Sequence, residues 1–319
     1  MKPGLNRRDF LAGSAAAGAG LLAAGRLLAA EFETTLHKAL IGRPTEATLK
    51  SWKAAGFEGI ESTDRGASPD RAAAARETAE KLGMKIHSVL YGWANFNRQG
   101  SMARDIAGVE RALRACQAYG ADALLLVPCR IGGMQMPQPW EFDIQFSEKT
   151  GHLEQVAAGD NAKYKQYCEA HDHAVDTSRE ALKKLIPVAE ETGVIIALEN
   201  VWNNLWVKPA IFQNFIASLD SPWVKCYFDI GNHVKYAPPE EWIRVLGKLI
   251  VKCHVKDFKL NPDGHGGRFC NIRDGSVDWP AVRKQLDAIG YNGWMTIEGS
   301  GGLSLEELNR RLDLICAGK

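Results

Sequence analysis

The sequence predicts one parallel barrel of eight strand-helix units, a (β/α)8 barrel, and three observations lead to this prediction. Strand-like runs alternate with helix-like segments eight times along the chain. The run at residues 123–128 is apolar throughout, which is typical of a strand covered on both faces, as in a parallel sheet. Four later strand-like runs contain Glu199, Asp229, His254 and Glu298 at or near their ends. These residues are spaced 30, 25 and 44 positions apart, with one helix-like segment in each gap.

The first four strands are predicted at residues 38–42, 59–62, 85–91 and 123–128. The helix-like segment 45–57 separates the first two strands, and the segment 103–119 leads into the fourth. The segment 70–82 leads into the third strand and is followed by Gly83, a residue type that commonly ends helices.

The last four strands are predicted at residues 194–202, 225–234, 249–258 and 294–300. The helices around them are predicted at residues 177–192, 209–219, 239–246, 279–289 and 304–316. This strict alternation favours a barrel over a doubly wound sheet. No glycine-rich dinucleotide or phosphate loop follows a strand, so nucleotide binding is not indicated.

Residues 1–30 resemble a twin-arginine export signal and are set apart from the fold. Arg7 and Arg8 precede a mildly apolar run of Ala, Gly and Leu. Cleavage near Ala30 would leave residues 31–319 as the barrel domain. The resemblance implies export by the twin-arginine machinery to the periplasm or the medium. An uncleaved amphipathic or membrane-anchoring segment is the alternative, although its many glycines argue against a stable span.

The composition is that of a globular protein, with 45% hydrophobic and 24% charged residues. A formal net charge of +1 provides no basic field that would collect nucleic acid, so no nucleic-acid partner is expected. The seven cysteines form an odd set, and most lie in or beside the strand-like and helix-like runs, which predicts packed thiols rather than a disulfide framework. Assembly into a homo-oligomer is left open.

Two connections are too long to be simple turns. Residues 130–173 follow the fourth predicted strand, and residues 259–277 follow the seventh. Both lie at the strand ends where barrel sites form, so we expect lids or substrate walls. A mobile surface excursion is the alternative for residues 149–161.

The strand ends that carry Glu199, Asp229, His254 and Glu298 are expected to meet, because the carboxyl ends of parallel barrel strands converge on one face. A carboxylate at the end of an apolar strand costs free energy to bury unless a cation or hydrogen bonds satisfy it. Each acid alone could instead cap the following helix, an interpretation that fits four converging residues less well.

The segments ALEN, FDIGN, CHVKD and TIEGS at these strand ends, together with VDWP before the last unit, resemble the sugar phosphate isomerase/epimerase superfamily. Its xylose isomerase-like barrels include ketose 3-epimerases, hydroxypyruvate isomerases and inosose dehydratases. The resemblance implies that Glu199, Asp229, His254 and Glu298 bind one divalent cation, with manganese the first choice. Three carboxylates and an imidazole suit Mn²⁺ or Mg²⁺, and Co²⁺ or Zn²⁺ can occupy such a set.

The resemblance also implies substrate contacts. Glu61 ends the second strand and His87 lies in the third, where the family often has a substrate-facing acid and histidine. Either residue could instead be a satisfied polar group in the barrel wall. Asn232 occupies the place of a substrate-binding histidine of the epimerases, and His233 is displaced from that place by one residue. Trp202 offers a ring face of the kind that stacks on sugars.

Two departures from the epimerase pattern alter the expected pocket. The epimerases have an acid six residues after the first metal glutamate and an arginine six residues after the ligand histidine. This chain has Leu205 and Leu260 at those places. Arg268 could replace the arginine, and Asp257 is a further candidate at the substrate site. These departures argue against a free-ketose 3-epimerase although the metal set is intact.

The leading interpretation is a metal-dependent sugar or cyclitol isomerase or epimerase. Glu199 and Glu298 would transfer a proton through an enediolate-like intermediate. A metal-dependent lyase or hydratase on keto-glycosides is the first alternative. An endonuclease-IV-like phosphodiesterase would need a multi-zinc cluster with more histidines, and a non-catalytic carbohydrate-binding barrel would be marked by a lost ligand. Export implies that the small-molecule partner is an unphosphorylated sugar, cyclitol or glycoside.

Overall fold

Twelve strands are present in the computed structural model of this chain, which describes residues 32–319. In chain order they are β1 (Leu36–Gly42), β2 (Gly59–Ser62), β3 (Lys85–Trp93), β4 (Ala123–Val127), β5 (Phe142–Phe146), β6 (Leu153–Ala157), β7 (Ile195–Glu199), β8 (Val224–Asp229), β9 (Ile250–Val255), β10 (Asp257–Leu260), β11 (Gly267–Cys270) and β12 (Gly293–Ile297). Eight of them pair in parallel and close in the order β1-β12-β9-β8-β7-β4-β3-β2. This confirms the predicted (β/α)8 barrel.

Eight α-helices accompany the strands within residues 32–319. They are α1 (Glu46–Ala54), α2 (Pro69–Lys81), α3 (Met102–Tyr119), α4 (Lys165–Thr192), α5 (Pro209–Ala217), α6 (Pro239–Leu246), α7 (Trp279–Ala288) and α8 (Leu305–Cys316). Local sequence explains several of their ends. The side chains of Ser68 and Ser304 accept backbone N–H groups at the starts of α2 and α8. Gly120 and Gly193 follow α3 and α4 in the left-handed conformation, with φ of 69° and 67°.

The residues from Thr34 to Lys319 form one compact unit. The predicted export signal, residues 1–30, lies outside the described residues. In the described part, no helix is both long enough and apolar enough to span a bilayer.

The connection at residues 130–173 contains more regular structure than expected. The strands β5 and β6 form an antiparallel hairpin that includes much of the segment 149–161. Helix α4 begins at Lys165, so the predicted start at residue 177 is wrong. Tyr167 and His171 explain the longer helix, because both are buried and contact backbone carbonyls of the loop after β7, at 2.9 and 3.2 Å.

The connection at residues 259–277 also contains a hairpin, formed by β10 and β11. Like the first hairpin, it follows the carboxyl end of a barrel strand. The two long connections therefore lie on the face of the barrel where a site was expected.

A small apolar cluster of barrel-strand residues is separate from the main core. Its buried members are Ala123, Leu125, Val127, Ala197 and Tyr227. A larger apolar core lies between the strands and the surrounding helices. All seven cysteines are free and four of them are buried, which confirms the prediction of packed thiols.

Candidate metal centre

Four side chains from four neighbouring barrel strands converge at the carboxyl end of the barrel. Glu199 and Asp229 are the last residues of β7 and β8, His254 lies in β9, and Glu298 directly follows β12. One ligand atom from each lies within 4.8 Å of the others. Three of the side chains are buried and that of Glu298 is partly exposed. The structure therefore brings together all four residues that strand spacing placed on one face.

His254 lies at the centre of this group. Its Nδ1 is 2.9 Å from Glu298 Oε2, 3.5 Å from Glu199 Oε1 and 4.0 Å from Asp229 Oδ2. Three of the facing atoms, His254 Nδ1, Asp229 Oδ2 and Glu298 Oε2, are buried without a hydrogen bond of acceptable geometry. Buried polar atoms normally have partners, so this group of donors fits a cation. Its oxygen-rich chemistry suits Mn²⁺ or Mg²⁺ best.

Lys256 is a member of the site that sequence reasoning missed. Its Nζ lies 2.9 Å from Glu298 Oε2 and 3.3 Å from Asp229 Oδ2. Burial alone would lower the pKa of Lys256, but these carboxylates raise it above its usual value. A signal was present in the sequence, because a residue two positions after His254 in extended chain lies on the same face.

The acids of the cluster respond differently to their surroundings. Burial raises the pKa of Asp229 to about 7 and also raises the pKa of Glu199. Burial acts in the same sense on Glu298, but the positive charges of His254 and Lys256 hold its pKa well below the usual range. Without a cation, Asp229 and Glu199 are therefore the acids that most readily take up protons.

This proton uptake predicts that metal binding weakens as the pH falls below about 7. A cation must displace any proton held by Asp229, so its apparent affinity should drop about tenfold per pH unit for each proton displaced. Isothermal titration with Mn²⁺ at pH 6, 7 and 8 measures this. Equal affinity at the three pH values would contradict the assignment of Asp229 as a ligand.

Glu61 lies behind His254 in the barrel interior. Its Oε2 is 2.6 Å from His254 Nε2 and accepts a hydrogen bond from Tyr227 Oη at 3.2 Å. The carboxylate thereby holds the Nε2–H form of the imidazole and leaves Nδ1 free to face the acids. Glu61 is fully buried and contacts His254, which fits the alternative of a polar group in the barrel wall better than substrate contact.

We predict that Glu61→Gln lowers metal affinity about 10- to 100-fold, the usual effect of losing such an outer partner. An amide can no longer act as a charged acceptor for His254 Nε2–H. Glu58→Gln is the control, since Glu58 lies before β2 and contacts His37 instead, at 3.3 Å. Mn²⁺ titration of both variants measures the effect. Unchanged affinity in Glu61→Gln would remove its role in orienting the histidine.

Two histidines expected at the substrate site lie elsewhere. His87 is buried in the barrel interior, where its ring stacks on Trp294 at 4.5 Å and its Nε2 is 3.1 Å from Thr296 Oγ1. Burial lowers the pKa of His87 well below the usual value. His233 is also buried, and its ring packs against Trp242 of α6 at 4.6 Å. Burial also lowers the pKa of His233 to about 3. Both rings are buried against tryptophan side chains.

Asn232 and Trp202, two further substrate candidates, lie beside the cluster. Asn232 Nδ2 donates to Glu199 Oε1 at 3.3 Å, and its Oδ1 accepts from Lys256 Nζ at 3.2 Å. Trp202 Nε1 donates to the backbone carbonyl of Asn232. The Trp202 ring stacks on Phe269 at 4.8 Å. These residues form one wall beside the cluster.

The other two substrate candidates are corrected by the structure. Asp257 is buried, and its carboxylate accepts four backbone N–H groups and the indole N–H of Trp279, at 2.8 to 3.3 Å. It organises the loop that follows and has little capacity left for substrate. Arg268 lies next to Phe269 on β11, so its side chain points to the opposite face from the ring that meets Trp202. Phe269 is therefore the residue of this hairpin that lines the mouth.

An eight-stranded parallel barrel with acids and a histidine gathered at its carboxyl face defines a class of site in which metal-assisted chemistry is common. The chain belongs to the xylose isomerase-like TIM barrel family, whose model matches residues 49–312. This confirms the family resemblance of the ALEN, FDIGN, CHVKD and TIEGS segments.

Two curated relatives match part of the chain. The uncharacterised protein MJ1311 of Methanocaldococcus jannaschii is 28% identical over 130 residues, which cover 39% of this chain and 43% of that protein. L-ribulose-5-phosphate 3-epimerase UlaE of Salmonella paratyphi A is 29% identical over 158 residues, 49% of this chain and 52% of that protein. The matched part thus spans about half the length of these relatives.

Solved structures share the fold along most of the chain. The xylose isomerase domain protein of Planctomyces limnophilus has a TM-score of 0.65 at 15% identity and covers 90% of this chain and 97% of its own. The 3-keto-D-glucoside 4-epimerase YcjR of E. coli has a TM-score of 0.64 at 15% identity, with 88% and 99% covered. At such identities the likeness shows the fold alone.

Proposed function

We propose that this protein is a sugar or cyclitol isomerase or epimerase that uses one divalent cation, with Mn²⁺ the first choice. The observation that carries the proposal is the convergence of Glu199, Asp229, His254 and Glu298, whose ligand atoms lie within 4.8 Å of one another. The epimerase activities named for UlaE and for YcjR support the same class of reaction.

Glu199 and Glu298 are the proposed acid–base pair. In the barrel, β7 and β12 are separated by β8 and β9, so the two carboxylates approach the centre from different sides. One can remove a carbon-bound proton from a substrate held between them while the other returns a proton. A divalent cation, when bound, supplies Lewis-acid stabilisation of negative charge that develops on a substrate oxygen. Lys256 adds a positive charge beside the same position.

The wall of Trp202 and Phe269 gives the substrate an apolar surface on which to lie. A sugar ring presents its C–H groups to such a face, while its hydroxyls remain free for the polar groups of the cluster. Asn232 links this wall to Glu199, so packing of the sugar on Trp202 would also hold it near the proposed base.

The one-metal proposal is favoured over the nuclease alternative by the number of clusters. Within residues 32–319, these four residues form the single group of three or more His, Cys, Asp or Glu side chains placed to hold an ion. A multi-zinc phosphodiesterase would need further ligands beside them.

Hydrogen exchange in D₂O tests the proposal. The Mn²⁺-loaded protein is incubated with free ketoses, cyclitols and 3-keto-glycosides, and NMR follows both carbon-bound hydrogen and products. We expect deuterium incorporation together with an isomer or epimer of one substrate, and loss of both after treatment with a chelator. A product that has lost water or an aglycone would favour the lyase alternative. Phosphodiester cleavage with several zinc ions per chain would replace the proposal with the nuclease.

Export is part of the proposal and rests on Arg7, Arg8 and the apolar run that follows them. A protein exported folded could carry its metal from the cytoplasm. Outside the cytoplasm it would meet unphosphorylated sugars, cyclitols or glycosides, which are therefore the preferred substrates for the assay.

A further inference from the structure

A cavity lies among segments that follow the carboxyl ends of barrel strands. Its volume is about 410 Å³, within the range of about 300–1,000 Å³ found for small-molecule sites. Its walls include Trp140 from the connection after β4, Lys235 and Glu240 from the segment after β8, and Leu260 from β10. All these segments follow the carboxyl ends of barrel strands, so the cavity opens on the same face as the metal centre.

Two contacts connect the cavity with the wall of the metal centre. Lys235 lines the cavity, and its Nζ lies 3.3 Å from the centre of the Trp202 ring. Leu260 also lines the cavity and shares one face of β10 with Phe258, which meets Trp202 edge-on at 5.8 Å. Trp202 therefore lies between Asn232, beside the cluster, and Lys235 in the cavity wall.

The cavity offers the combination of groups that binds a sugar ring. The side chain of Trp140 is 45% exposed although its ring stacks on His265 at 4.3 Å. Glu240 also lines the cavity, and a carboxylate can accept a hydrogen bond from a hydroxyl. Lys208 Nζ donates to one backbone carbonyl at 3.2 Å and has further N–H groups available. An aromatic face with a few polar groups around it is typical of carbohydrate sites.

Exposed aromatic residues gather on this face of the barrel. In the described part of the chain, the exposed large hydrophobic residues are Trp93, Trp140 and Phe269, at 43%, 45% and 42%. Each lies at or beyond the carboxyl end of a barrel strand. Of these three side chains, Trp140 is the one that lines the cavity.

We propose that the cavity is a subsite for a second sugar ring, so that the substrate is a glycoside or oligosaccharide rather than a free monosaccharide. This rests on the proposed function, in which the reacting sugar lies between Glu199 and Glu298. The second ring stacks on Trp140, and one of its hydroxyl groups donates a hydrogen bond to Glu240.

Sugar binding to paired tryptophan variants tests the subsite. The Mn²⁺-loaded protein is titrated with cellobiose, maltose and lactose and with glucose and galactose, and NMR line broadening gives the affinities. We expect at least one disaccharide to bind about tenfold more tightly than its monosaccharides, and Trp140→Ala to remove most of that difference. Trp93→Ala is the matched control, because Trp93 has similar exposure but does not line the cavity. It should retain the preference.

The proposal is overturned if no disaccharide binds more tightly than the monosaccharides, or if both tryptophan variants lose the preference equally. Thermal melting of the variants confirms that they are folded, as expected for substitutions of exposed side chains. Deuterium exchange separates this failure from that of the proposed function. If deuterium exchanges on a free ketose but a second ring adds no affinity, the enzyme assignment stands and the subsite is ruled out. Preferential disaccharide binding without exchange on any substrate supports the subsite and removes the enzyme assignment.

Discussion

Replacing Glu199 or Glu298 by glutamine is expected to lower turnover about 10²- to 10⁴-fold, the range that general acid–base catalysis contributes. Glutamine keeps the size of the side chain and one oxygen donor, but it cannot take up and return a proton at working pH. Both carboxylates also face His254 Nδ1, at 3.5 and 2.9 Å. Turnover is therefore compared at saturating Mn²⁺, with the metal content of each variant measured by atomic absorption.

The Glu199→Gln and Glu298→Gln variants are expected to differ in whether they still exchange substrate hydrogen for deuterium. In D₂O, an enzyme that lacks the residue returning the proton can still exchange substrate hydrogen for deuterium, whereas loss of the abstracting base stops the exchange. Glu306→Gln at the exposed start of α8 is the control and should leave both rates unchanged. Unaltered turnover in the metal-loaded Glu199→Gln and Glu298→Gln variants would remove this pair from the mechanism.

The fold and the convergence of Glu199, Asp229, His254 and Glu298 could be predicted because their signals are local in sequence. Apolar runs of strand length alternate with helix-like segments, and the side chains of Glu199, Asp229 and Glu298 mark the ends of three such runs. Once the strands are parallel and closed, their carboxyl ends must share one face. The same logic of alternating faces applied to Lys256, two residues after His254, and would have placed it in the site.

The surroundings of the ligands depend on contacts that sequence spacing does not encode. His233 lies one residue from Asn232, yet its ring packs on Trp242 of α6 while Asn232 faces Glu199. The resemblance to the epimerases predicted substrate contact for both Asn232 and His233. Which of two adjacent side chains turns inward is decided by the packing of a helix whose position comes from the whole barrel.

The two hairpins, β5–β6 and β10–β11, were likewise not predicted from the sequence. Strands β5 and β6, and strands β10 and β11, pair across loops that contain few strong strand signals, so both connections were expected as long loops. Within the second hairpin, the face that meets Trp202 carries Phe269 and not Arg268. That choice follows from the register of β11 on β10, which pairs Phe258 with Phe269.

Replacing Asp257 by alanine is expected to lower the free energy of unfolding by about 3 kcal/mol or more, since each buried donor left without a partner costs about 1–3 kcal/mol. Three of the donors to its carboxylate make buried hydrogen bonds: the backbone N–H groups of Phe258 and Val277 and the indole N–H of Trp279. The loop is also built closely around the carboxylate, because a Cβ added at Gly275 would lie 2.0 Å from Asp257 Oδ1.

Urea denaturation measures the loss in Asp257→Ala, and limited proteolysis shows whether residues 259–277 become the first site of cleavage. Asp263→Ala is the matched control, since Asp263 is an exposed acid in the same connection and accepts one backbone N–H, from His265, at 2.9 Å. A change within about 0.5 kcal/mol is expected there. Asp257 anchors the hairpin that presents Phe269 to Trp202. Under the proposed function, its loss should therefore also weaken sugar binding, while the affinity of the four-residue cluster for Mn²⁺ should not change. Equal stability of the two variants would mean that other contacts hold this wall of the site, and Asp257 would return to consideration as a residue that contacts substrate.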